Sequence, residues 1–218
     1  MKKTSLIISL TVITVSAFAQ RTAEVLKTHE KIHIVISSNR ALLDTLWNQY
    51  EDWVKPTLFV ASNGNNAVGY VAGNNNFGDK HKAQVFPNTT NTAMKIEQVI
   101  LLFGGKYLSS GNANSKVAVK TYAWNGTTPG SSTSAVDLLV NDIDTLAGSW
   151  NIVTFTNPAT VGSDFGVGID LTATASGDYV GLYSSEDGGG NVYGNLAWEQ
   201  WNDNSWHLFS GAETWGHL

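Results

Sequence analysis

Phe165-Gly166-Val167-Gly168-Ile169-Asp170-Leu171 puts an apolar side chain at every second position, with glycine or aspartate between. A period of two is that of an extended strand with one face on a core, because successive side chains point to opposite sides of a sheet. Lys116-Val117-Ala118-Val119-Lys120 repeats the pattern. Val99 to Phe103 is an unbroken apolar run and reads as a strand buried on both faces. Further short runs, near 58–61, 68–72, 82–86, 136–140, 151–156, 179–184 and 192–200, are separated by clusters of Gly, Asn, Ser and Thr. Many short strands at such spacing, without long helical segments between them, give an all-β fold. The expectation is a jelly-roll-like sandwich of two antiparallel sheets over residues 57–218. Val99, Leu101, Phe103, Val117, Val119, Val153, Phe155, Val167 and Ile169 are its expected core.

The segment before the sandwich has a different texture. Lys2 and Lys3, an apolar stretch from Ser5, and Ala17-Phe18-Ala19 have the three-part form of a secretory signal peptide over residues 1–19. Residues 20–56 follow as a leader. Ile32 to Ile36 reads as a short strand, and Leu43, Leu46, Trp47, Tyr50 and Val54 recur at helical spacing, giving a helix near 40–53 that Pro56 ends. No later stretch is long and apolar enough to span a membrane. The chain's end, Trp215-Gly216-His217-Leu218, reads like the start of another strand, which implies further domains of the same polypeptide.

Charge excludes one class of partner. Taking Lys2 and Lys3 from the 13 basic residues leaves 11 against 18 acidic ones. Such a chain lacks the basic footprint that nucleic acid requires. With no cysteine, an exported chain must rely on core burial or bound ions rather than disulfides.

Gly69-Tyr70-Val71-Ala72-Gly73-Asn74-Asn75-Asn76-Phe77-Gly78-Asp79-Lys80, with Lys82-Ala83-Gln84 after it, is distinctive. So is Trp150-Asn151-Ile152-Val153-Thr154-Phe155 with Pro158, Val161 and Phe165 to Ile169 behind it. Together these resemble a β-sandwich region of large secreted Bacteroidota proteins exported by the type IX pathway. The resemblance implies export to the cell surface or beyond and a non-catalytic role beside other modules. It carries no catalytic residues. A C-terminal sorting domain, usual in such cargo, is not visible. The resemblance also implies O-glycosylation at Asp-Ser/Thr-apolar sequons, which Asp44-Thr45-Leu46 and Asp144-Thr145-Leu146 fit.

Four constellations carry chemistry on paper. His29-Glu30-Lys31-Ile32-His33 is a literal HExxH, the zinc-protease spacing when helical. The β-branched run after it favours a strand, and too little chain precedes it to build a cleft, so it is read as incidental. Glu186, Glu199 and Asp170 are candidate glycosidase carboxylates, but no spacing singles out a pair. Asn74, Asn75, Asn76 and Asp79 form one oxygen-rich loop, and Asn141, Asp142 and Asp144 a second; Asn74, Asn76, Asp79, Asp142 and Asp144 are candidate ligands for a structural Ca²⁺, or plain turn formers. Eight tryptophans serve either the core or a sugar-stacking platform. Trp201 and Trp206 flank a polar turn, so they are expected to face each other across a hairpin, with Asn202, Asp203 and Asn204 as hydrogen-bonding rims.

The sequence thus reads as a non-catalytic, exported sandwich module in adhesion or surface architecture, with a glycan or another surface protein as partner. A carbohydrate-binding module of a glycan-degrading protein and a fragment of a secreted hydrolase are the rival readings.

Overall fold

In a computed structural model, the described residues are 21–28, 46, 56–64, 66–89, 92–146, 149–184, 196–211 and 213–215. The signal peptide, HExxH, the leader strand at 32–36, nearly all of the helix expected near 40–53, the sequon at Asp44, and Glu186 lie outside them.

Among the described residues thirteen strands follow in order: β1 (Thr22–Thr28), β2 (Thr57–Asn63), β3 (Asn66–Tyr70), β4 (His81–Phe86), β5 (Met94–Leu101), β6 (Phe103–Tyr107), β7 (Lys116–Trp124), β8 (Pro129–Leu139), β9 (Asn151–Val161), β10 (Phe165–Asp170), β11 (Tyr179–Leu182), β12 (Ala197–Gln200) and β13 (Trp206–Leu208). One 3₁₀ turn, Val140–Asp142, is the only helical element among the described residues. The fold is an all-β sandwich.

One layer is a six-stranded sheet in the order β13-β12-β4-β10-β7-β8, antiparallel throughout. The other layer is assembled from three smaller pieces: β1-β2-β3, β6-β11 and β5-β9. Backbone bonds stitch two of them together. Thr57 and Ser184 exchange N–H···O bonds at 2.8 and 2.9 Å, and Leu182 donates to the Ala72 carbonyl at 2.9 Å. The chain passes repeatedly between layers, so β4, β10 and β12, far apart in sequence, are neighbours in one sheet.

The main core lies between the layers. Val117 and Val119 of β7 and Ile169 of β10 meet Val99, Leu101, Phe103, Val153, Phe155 and Val180 from the opposite side. Of the expected core only Val167 is partly exposed, and it still packs against this cluster. A second cluster, Phe59, Ala61, Val68, Val71, Phe209 and Trp215, fills the space between β2–β3 and the end of β12–β13. At roughly 25 cal/mol per Å² of apolar area removed from water, such clusters supply the main stabilisation of a chain without disulfides.

Three readings change. Val99 to Phe103 is not one doubly buried strand: β5 ends at Leu101 and β6 starts at Phe103, each with its own partner, and Ile100 and Leu102 are half-buried. Residues 22–28, expected in the leader, form β1 and pair with β2 from Thr22↔Ser62 to Thr28↔Thr57. Trp215, the described residue of the strand start expected at 215–218, sits in a turn, 8% exposed, as a plug in the second cluster, and 216–218 lie outside the described residues.

Candidate functional site

β4 and β12 pair in the register His81↔Gln200, Lys82↔Glu199 and Ala83↔Trp198. Strand alternation therefore sends Lys82 and Glu199 toward the opposite layer and His81, Gln200 and Trp198 outward. The two sides carry two different polar clusters.

The inner cluster is sealed. Glu199 and Asp79 have fully buried side chains, Lys82 is 3% exposed and Arg21, just before β1, 10%. Lys82 Nζ donates to Asp79 Oδ2 at 2.7 Å and Glu199 Oε2 at 2.6 Å. Arg21 Nη1 donates to Glu199 Oε1 at 2.7 Å and lies 3.1 Å from Asp79 Oδ1. The indoles of Trp201 and Trp215 each give their N–H to Glu199, at 2.6 and 2.8 Å, and the Asn75 amide donates to Asp79 at 2.9 Å. Two cations thus meet two carboxylates, which is the condition for burying charge without severe cost. Burial pushes the Asp79 carboxyl up, but Lys82, Arg21 and Asn75 together hold it below the ordinary carboxylate value. The Arg21 guanidinium also lies over the rings of Phe77, Trp201 and Trp215, 4.8, 4.4 and 5.4 Å from their centroids.

The outer cluster is open. On the outward positions of β7 stand Lys120, Tyr122 and Trp124; on β10, Gly166, Gly168 and Asp170. The aromatic side chains close over this glycine strip from both sides. Trp124 meets Trp198 edge-on at 5.9 Å, and Trp206 meets Tyr122 at 5.6 Å and His81 at 5.8 Å. Gly168 leaves no room for a side chain and Gly166 leaves little. A Cβ on Gly166 would lie 3.2 Å from Tyr122 Cβ, and one on Gly168 would run into the backbone of Lys82. Tyr122 is buried, whereas Trp124, Trp198, Trp206, His81, Lys120 and Gln200 are half-buried. A polar chain crosses the aromatic floor: the Tyr122 hydroxyl bonds His81 Nδ1 at 2.9 Å, and Lys120 Nζ donates to Asp170 Oδ2 at 2.6 Å, with His81 Nε2 at 3.6 Å from the same oxygen. Burial, with Lys120 and Lys80 nearby, holds the His81 imidazole below its usual pKa despite Asp170. Burial likewise raises the Tyr122 phenol well above its normal range.

Trp201 and Trp206 do not face each other. Trp206 pairs with Gln200, while Trp201 donates its backbone N–H to Ser205. The loop is therefore the three residues Asn202, Asp203 and Asn204, with Asn204 in the left-handed region at φ 71°, a known solution for a three-residue hairpin. This offset sends Trp201 inward to Glu199 and Trp206 outward to His81. Trp201 also stacks on His207 at 3.7 Å. The three loop residues are exposed, but Asp203 Oδ1 accepts the Ser205 N–H and Asn204 Oδ1 accepts from Lys80.

Four of the five residues proposed for calcium have protein partners. Asn74 Oδ1 accepts the Val180 N–H at 2.7 Å, Asn76 Oδ1 accepts the Tyr179 hydroxyl, and Asp144 Oδ1 accepts the Leu146 N–H. Asp79 belongs to the ion cluster, and Asp142 is exposed. Glu199 and Asp170, two of the glycosidase candidates, lie on opposite faces of the sheet.

Sequence reasoning had passed over Arg21, Lys82, His81, Lys120, Tyr122 and Trp124. The alternating glycines of β10 were the available signal, because glycine on the outward face of a central strand marks close approach by neighbouring groups. Comparison with protein-family models, with curated proteins and with solved structures finds no match to the chain.

Proposed function

We propose that the chain is an exported, non-catalytic β-sandwich module whose six-stranded sheet binds carbohydrate on its outer face, in adhesion to a cell surface or in its architecture. The observation that carries this is the row of half-buried tryptophans, Trp124, Trp198 and Trp206, over the Gly166–Gly168 strip. Aromatic rings on a sheet offer apolar surface for the C–H faces of sugar rings, and their position is fixed by the backbone rather than by a loop. Lys120, Asp170, Gln200 and His81 stand beside them as donors and acceptors for hydroxyl groups.

The non-catalytic reading is supported by the placement of the carboxylates. Glu199 is sealed behind the sheet with all its partners, and Asp170 is held by Lys120 and the Thr172 hydroxyl. Export is supported by the three-part pattern of residues 1–19. Affinity electrophoresis through gels containing different polysaccharides tests the reading. The parent protein is expected to be retarded by at least one of them and Trp206→Ala to migrate freely; equal retardation of both would remove the outer face as the site.

A further inference from the structure

The inner cluster is built from two sources. Phe77, Asp79, Lys82, Glu199, Trp201 and Trp215 all belong to the body of the sandwich, whereas Arg21 arrives with β1. Without Arg21 the body holds Glu199 and Asp79 against Lys82 alone, a buried net negative charge inside a three-ring aromatic cage. That is a recognition site for a guanidinium, since a planar, weakly hydrated cation both stacks and pairs. The adjoining edge of β2 offers the extended backbone partner. Its pairing with β1 runs from Thr22↔Ser62 to Thr28↔Thr57, and Thr22 Oγ1 lies 3.0 Å from Ser62 Oγ.

β1 occupies an edge position and pairs with β2 alone. Antiparallel neighbours are ordinarily joined by two to five residues, yet 28 residues separate Thr28 from Thr57. A chain of that length, if fully extended, would span at most roughly 90 Å, so the length of the connection does not by itself confine β1 to its own molecule.

We infer that β1 is an exchangeable docking strand: the edge of β2 and the Phe77–Trp201–Trp215 cage recognise an extended peptide led by arginine, filled in one molecule by its own residues 21–28 and, between molecules, by the same strand of a second copy. The mode is strand addition, with backbone bonds supplying affinity and the Arg21 pocket supplying specificity. A tethered strand competes at an effective concentration on the order of 1 mM or below, so exchange shows itself at high protein concentration.

The chain has no cysteine, which allows a direct trap. One copy carries only Thr22→Cys, a second, differently tagged copy only Ser62→Cys, and the two are mixed near 1 mM in a glutathione redox buffer (a concentration on the order of the tether's own). Strand exchange yields a disulfide-linked heterodimer. Placing Arg21→Lys or Arg21→Ala in the copy that carries Thr22→Cys is expected to lower the yield on the order of tenfold or more, because the site needs the planar fork as well as the charge. A pair with the second cysteine at exposed Thr154 on β9 reports chance collision. A heterodimer yield no greater than that of the Thr154 pair, or one indifferent to the Arg21 substitutions, overturns the inference.

Discussion

Two polar clusters stand back to back on the same pair of strands, β4 and β12. They differ in every respect that matters for function. The inner one, around Glu199 and Lys82, is charge-balanced and shut away from water, with both Glu199 oxygens fully engaged. The outer one, around His81 and Asp170, is half-exposed, floored by aromatic rings and only partly engaged. A buried, charge-paired cluster holds a structure together; an open one beside accessible aromatic surface has capacity left for a ligand. The difference also separates the tryptophans. Trp201 and Trp215 serve the fold through Glu199, whereas Trp198 and Trp206 present themselves on the other side.

The largest effect is expected from breaking the inner cluster. Glu199→Ala leaves Arg21 and Lys82 buried against Asp79 alone, and loss of one partner of a buried ion pair costs about 3–5 kcal/mol. Differential scanning calorimetry should show a fall of roughly ten degrees or more. A change of a degree or two would mean that water reaches the cluster.

Acid should find the same weakness. The folded-state pKa of Asp79 is depressed, so its contribution is complete above the unfolded value of about 3.9 and is lost as pH falls below that toward the folded value. Acid titration followed by circular dichroism should show unfolding in that low-pH window, and Asp79→Asn, already destabilised at neutral pH, should show a shallower dependence there. An unchanged dependence would place the acid-sensitive group elsewhere.

Outer-face changes should be milder. Trp206→Ala removes a half-buried ring that touches His81 and Tyr122 edge-on, worth about 1–2 kcal/mol from ring contacts and partial burial. A melting temperature as low as that of Glu199→Ala would make the outer face a second core rather than a surface. The smallest effects belong to the turn and the oxygen-rich loops. Asn204→Gly keeps the left-handed geometry and gives up only an exposed contact with Lys80, so its stability should stay within about 0.5 kcal/mol of the parent. EDTA should leave the melting temperature unchanged, because Asn74, Asn76, Asp79 and Asp144 already hold protein donors; a clear drop would support the calcium reading instead.

The sandwich was legible where alternation is local. The runs at 116–120 and 165–171 became β7 and β10 with their expected inward residues in the core. What escaped depends on register and on distance along the chain. Whether Trp201 and Trp206 share a face turns on one residue of loop length, settled by Asn204 entering the left-handed region. Arg21 and Glu199 are 178 positions apart, and no periodicity links them. β1 was hidden because Thr22–Thr28 mixes Thr, Glu and Lys with three apolar residues whose alternation breaks where Val25 and Leu26 are adjacent, at the register shift, and because Arg21 ties its start to a carboxylate far along the chain. The outer site escaped because its aromatic residues are scattered over β7, β12 and β13, so only the assembled sheet brings them together.

The central claim is that carbohydrate binds on the outer face of the sheet while the inner cluster holds the fold, and a paired substitution tests it most directly. Trp206→Ala and Trp201→Ala would be compared by affinity electrophoresis, well below either melting temperature, in the polysaccharide that retards the parent. Trp206→Ala is expected to lose retardation while melting close to the parent, and Trp201→Ala to melt several degrees lower while remaining retarded. The reverse, binding lost with Trp201 and kept without Trp206, would contradict the account.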